Sequence, residues 1–131
     1  MKRKIIIWMF VLALITFFLF GLKYETTIYL GMSSPTSDGY SIDAEVKVDG
    51  EVITKDSINN NPYKYKTIKK TLGIGFRKVE VLSERADAYS VRTIFVLPNQ
   101  HVLIEFYPGI QNLRKVPEFD ISYGFNPFRY E

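Results

Sequence analysis

Hydrophobic and polar positions divide the chain into two regimes. From Ile5 to Leu22 the sequence is continuously apolar, eighteen residues with no charge and only Thr16 as a hydroxyl. At 1.5 Å per residue a helix of that length is about 27 Å long, close to the ~30 Å hydrocarbon core of a bilayer. After Leu22 the pattern changes to period two, which in an extended chain sends alternate side chains to opposite faces. Ile42, Ala44, Val46 and Val48 alternate with Asp43, Glu45 and Lys47, which predicts a half-buried strand. Asp49-Gly50 follows as a type I′ turn signal, and Glu51 to Lys55 returns as the partner strand. Thr26, Ile28 and Leu30 share one face of an earlier strand from Glu25 to Gly31. Tyr63 to Thr71 and Phe76 to Ser83 read as strands separated by a bulge or bend at Gly73-Ile74-Gly75. Val91 to Leu97 and Val102 to Tyr107 read as a further hairpin around Pro98-Asn99-Gln100-His101.

About seven strands result, and no window after Leu22 carries a 3.6-residue apolar stripe. The expected fold is all-β: an antiparallel sandwich of the Ig-like or transthyretin-like kind behind one N-terminal transmembrane helix. The domain reading is a basic cap (1–4), a transmembrane anchor (5–22), a β-sandwich (23–109) and an aromatic C-terminal strand or tail (110–131). That last stretch carries Phe119, Tyr123, Phe125, Phe128 and Tyr130 spaced by Pro, Gly and Asn. It reads as either a last strand with an ordered tail or a segment awaiting a partner. On the second reading, removal of Asn112 to Glu131 leaves the sandwich folded.

Charge fixes the expected orientation. Lys2, Arg3 and Lys4 precede the apolar run and only Lys23 follows it closely, so the N-terminus is expected in the cytoplasm and the C-terminal domain outside it. Thirteen of the eighteen residues are Ile, Val, Leu or Phe, each contributing about −0.3 to −0.6 kcal/mol to insertion at the helix centre. A cleaved secretory signal is the competing reading, but Leu19 disrupts the small-x-small cleavage pattern that Gly21 would complete.

Composition narrows the chemistry. The whole net charge of +3 resides in the cap, because fourteen acidic and fourteen basic residues balance after Leu22. No basic stripe is left to neutralise phosphates, which excludes nucleic acid as an expected partner. Zero cysteine removes thiol catalysis, thiolate zinc sites, disulfides and lipid attachment. His101 has no neighbouring Asp, Glu or Ser pattern and reads as a turn residue. Asp38, Asp43 and Glu45 are arranged for solvation rather than for Ca²⁺. Gly73-Ile74-Gly75 lacks the Lys-Ser of a phosphate loop. No enzyme activity, cofactor or metal is expected.

Val48-Asp49-Gly50-Glu51-Val52-Ile53, the run Leu72 to Val81 with Gly73 and Gly75, and the strand Val102 to Phe106 together resemble small envelope β-sandwich modules of the PEGA and transthyretin-like kind. The chain departs from that pattern in lacking the Pro-Glu-Gly-Ala signature and in its longer loop from Asp56 to Pro62. The resemblance spans about residues 42–107. It implies a non-catalytic envelope module and carries over no binding residues. Joined to the apolar span, the expected function is an interaction or structural module of a bacterial cell envelope, bound to the bilayer through residues 5–22 and to an envelope protein partner. The expected contact surface joins Tyr63, Tyr65 and Lys66 to Phe119, Tyr123, Phe125, Phe128 and Tyr130. The alternative is a domain binding glycan or anionic polymer through Tyr63, Tyr65 and Lys66.

Overall fold

The computed structural model describes residues 1–33, 41–59, 64–108 and 116–126. The apolar run forms a helix, α1 (Lys2–Thr16), that continues as a π-helical turn (Phe17–Gly21), and none of its residues is buried. These twenty residues, Lys2–Gly21, are long and apolar enough to cross a membrane. Thr16 Oγ donates back to Leu12 O at 2.8 Å, so even the hydroxyl is satisfied within the helix. Leu22 is extended, with φ −89° and ψ 146°, and the first strand begins at the next residue.

Among the described residues eight strands follow: β1 (Lys23–Met32), β2 (Ser41–Val48), β3 (Glu51–Asn59), β4 (Lys66–Gly73), β5 (Gly75–Ser83), β6 (Ala88–Val96), β7 (His101–Tyr107) and β8 (Glu118–Gly124). They make two four-stranded sheets, ordered β4-β1-β7-β8 and β3-β2-β5-β6. Ile28, Leu30 and Met32 of β1 and Val102, Ile104 and Phe106 of β7 meet Ile42, Ala44, Val46 and Val48 of β2 and Val79 and Val81 of β5 in one buried cluster between the sheets. The alternating positions are thus buried on the inner faces, which is the basis for burying about 25 cal/mol per Å² of apolar surface without disulfides.

Several expectations need correction. Among the described residues there are eight strands rather than seven, because residues 118–124 pair with β7 in register Ile104↔Ile121 and Phe106↔Phe119. Phe119 and Ile121 are 5% and 4% exposed, so this part of the C-terminal stretch belongs to the core. The sandwich is not wholly antiparallel, since β1 and β7 run parallel, Ile28 beside Val102 and Leu30 beside Ile104. Nor do β6 and β7 form a hairpin: the turn between them carries the chain from one sheet to the other. Asn99 takes φ +62° there, and the buried Gln100 side chain accepts from the Leu97 N–H at 3.2 Å. Gly73-Ile74-Gly75 is likewise a passage between sheets, from β4 to β5, with Gly75 at φ +133°. The Asp49-Gly50 turn has the expected left-handed pair of residues, φ 52° and 82°.

Both open sides of the sandwich are stitched. Across one, Ser90 Oγ of β6 donates to Phe119 O of β8 at 2.9 Å and Arg92 donates to Ile121 O. Across the other, Lys66 and Lys70 of β4 pair with Asp56 and Glu51 of β3. Edge strands are thereby covered by neighbouring side chains, a protection against strand-to-strand aggregation.

Candidate functional site

The residues singled out from sequence do not assemble into one surface. Tyr63, Phe128 and Tyr130 lie outside the described residues. Phe119 is in the core, its ring 5.1 Å from that of Phe106, and so is not available to a partner. Tyr123 ends β8 with the Arg92 guanidinium 5.3 Å from its ring centre, and Phe125 stands exposed just beyond. Tyr65 and Lys66 sit at the opposite edge of the same sheet, with Lys66 beside Leu30 of β1, whereas Tyr123 is level with Ile28 through Val102. Lys66 points away from the outer face and is neutralised by Asp56.

Tyr65 leads instead to a different group. Gly31 of β1 has no side chain, and a Cβ there would come within 2.5 Å of Tyr65 Cδ1. The tyrosine ring therefore lies directly over the strand, which brings its hydroxyl to Glu105 of β7, Gly31's neighbour in the sheet. Tyr65 Oη donates to Glu105 Oε1 at 2.7 Å, and Tyr107 Oη donates to Oε2 at 3.2 Å. Farther along the same face, Tyr29 packs its ring 5.7 Å from the His101 imidazole at an angle of 40°. The outer face of this sheet thus carries two tyrosines on one carboxylate and, beyond the buried Leu103, a tyrosine–histidine pair. His101, expected in a turn, is the first residue of β7, and its Nδ1 is buried with no hydrogen-bond partner among the described residues.

Such an arrangement has a recognisable chemistry. Aromatic faces offer broad, rigid contact area, while hydroxyl, imidazole and carboxylate supply directional hydrogen bonds at the rim. Sequence reasoning reached Tyr65 but missed Tyr29, Glu105 and Tyr107. The signal was present in period two: Tyr29 and Gly31 share a face, as do His101, Glu105 and Tyr107. What periodicity omits is that β1 and β7 are neighbours.

The outer face of the other sheet is a field of exposed charge. Glu45 lies between Lys47 and Lys55 at 3.2 and 3.4 Å, and the hydrogen bond from Lys47 is the largest influence holding its carboxyl below the usual range. Tyr89 and then Lys78 do the same for Glu80, and reciprocally the Glu80 carboxylate raises both Tyr89 and Lys78. Asp43 has a local structural task. Its carboxylate accepts from Ser83 Oγ at 2.9 Å, Glu84 N–H at 3.0 Å and Arg85 N–H at 2.9 Å, which fastens the β5–β6 turn to β2. Desolvation pushes its pKa up, but the Arg85, Ser83 and Glu84 hydrogen bonds together outweigh that and lower it.

The chain matches no protein-family model and no curated protein.

Proposed function

We propose that this protein is a single-span membrane protein of a bacterial cell envelope, with its N-terminus in the cytoplasm and its β-sandwich held outside as a non-catalytic interaction module. The observation carrying this reading is the junction at Leu22. A twenty-residue apolar helix with no buried side chain runs into β1 through a single residue. Uncovered apolar surface of that extent has no stable home in water, and a bilayer supplies one. The basic cap Lys2-Arg3-Lys4 supports the orientation.

Of the two sandwich types expected, the strand order favours the transthyretin-like one. In an Ig constant domain the first two strands share a sheet, whereas here β1 and β2 belong to different sheets. The contact surface in this proposal is the outer face of the β4-β1-β7-β8 sheet, with Tyr65 and Tyr107 on Glu105 and the Tyr29–His101 pair farther along it.

That face also favours the second reading, a glycan-binding domain. Tyrosine rings beside a carboxylate suit the flat apolar faces and hydroxyl rims of sugars, and suit an anionic polymer less well. Photo-crosslinking from position 29 in intact membranes, with binding of the full chain to isolated wall polysaccharide measured beside it, tests the proposal. A discrete protein adduct supports the interaction module. Polymer binding abolished by Tyr65→Ala, with no protein adduct, supports the glycan reading in its place.

A further inference from the structure

The end of the sandwich nearest the helix has a composition of its own. Sheet pairing places Lys23 beside Gly73, so the β4–β5 passage lies at the helix exit. A Cβ on Gly73 would come within 3.9 Å of Phe20 O, and Tyr24 Oη lies 3.4 Å from Phe18 O. The Asp49-Gly50 turn lies toward this same end, since Asp49 N–H donates to Lys78 O, and so does the C-terminal end of β6, where Val96 pairs with Gly75. β7 and β8 stop short of it, because His101 and Gly124 are level with Thr27, well along β1 from Lys23. An exposed phenylalanine stands at the helix end, Phe76 at 75% exposure, whereas Phe125, the other exposed phenylalanine outside the helix among the described residues, follows Gly124 near the level of Thr27. Phe76 is supported edge-on by Phe95, with ring centres 5.0 Å apart. Exposed Lys23 stands next to Leu22, and the Arg77 guanidinium lies between Asp49 and the Gly73 carbonyl.

Geometry then limits what can cover this ring. A twenty-residue helix spans about 30 Å, the thickness of the hydrocarbon core, while the polar interfaces bring the whole bilayer to about 40–45 Å. With one residue between helix and β1, the first residues of the sandwich fall within the headgroup layer. Phe76 is three residues beyond Gly73, within about 10 Å of it along an extended chain. An exposed ring at that depth meets the acyl–headgroup boundary, where aromatic and basic side chains are accommodated together.

We infer that this end of the sandwich is a second membrane-contacting surface: the Phe76 ring inserts into the bilayer interface beside the helix, with Lys23 and Arg77 at headgroup level. The occupant is the same bilayer that holds the helix, so the inference rests on the membrane reading above. Its consequence is orientation. The strands stand along the membrane normal, and the tyrosine-bearing face looks sideways within the membrane plane toward a neighbour in the same bilayer.

Tryptophan fluorescence in vesicles containing brominated phosphatidylcholine tests this on the full chain. Trp8 is the single native tryptophan and reports insertion of the helix. In a Trp8→Phe background, Phe76→Trp reports the docking position and Tyr89→Trp the far end of the domain, each variant checked for its β-sheet circular dichroism. The expected result is loss of most of the emission at position 76 and little loss at 89. Quenching of Trp8 with none at 76 overturns the docking and leaves the membrane anchor standing. Equal quenching at 76 and 89 overturns the upright orientation. Absence of quenching at Trp8 itself removes the membrane reading and the docking with it.

Discussion

At the scale of single residues, the most consequential position is one with no side chain. Gly31 takes an ordinary strand conformation, so its role is space: the Tyr65 ring occupies the volume a Cβ would fill. Gly31→Ala is expected to displace that ring, break the 2.7 Å bond to Glu105 and cost about 1–3 kcal/mol by denaturant unfolding. In the Gly31→Ala/Tyr65→Ala double variant the cost should fall well short of the sum, because the clash is gone. Additive costs would show that the two residues are independent. Asp43 belongs to the same scale. Its lowered pKa means it stabilises the fold fully above its ordinary value of 3.8 and loses that contribution as the pH falls through its folded value. Asp43→Asn should therefore flatten the acid limb of the stability curve and leave the slope near neutral pH unchanged. It should cost about 1–2 kcal/mol at pH 7 through its weaker acceptors. Neither role was legible in the sequence. Asp43 occupies the wet face of an alternating strand, as its spacing predicts, but its three donors come from about forty residues away.

At the scale of elements, the alternation from Ile42 to Val48 and the Asp49-Gly50 turn were readable because both depend on adjacent residues alone. The same period located β1, β5 and β7 to within a few residues. It could not reveal that β6 and β7 lie in different sheets, since a strand buries one face whether its successor pairs beside it or packs opposite it. Nor did it decide between the last strand and the partner-seeking segment offered for residues 110–131, because Phe119, Ile121 and Tyr123 alternate only briefly before Gly124, Pro127 and their neighbours interrupt the pattern. Strand β8 carries a direct test. Deleting Asn112 to Glu131 removes two core side chains, each worth on the order of 2–5 kcal/mol. It also strips β7 of a neighbour. The combined loss approaches the 5–15 kcal/mol that stabilises a whole domain, so the truncated protein should lose its cooperative thermal transition. A truncated sandwich that melts like the full chain would mean that β8 is dispensable.

For the whole molecule, the account turns on the absence of a linker between the helix and the sandwich. The apolar run and the basic cap were evident from composition alone, and so was the β-rich domain behind them. The arrangement that gives them meaning was not: the β4–β5 passage and the Asp49-Gly50 turn lie toward the helix exit, Phe76 stands exposed beside it, and the tyrosine face stands at right angles to that end. Each of these follows from strand order, which a single sequence does not encode locally. The lack of cysteine makes the central claim accessible to a clean measurement. A single cysteine introduced as Thr93→Cys, at an exposed position of β6, can be challenged with a membrane-impermeant maleimide in intact cells and again after lysis. Labelling in intact cells, unchanged by lysis, is the result expected of a sandwich held outside the cytoplasm. Labelling only after lysis would place it inside and contradict the account.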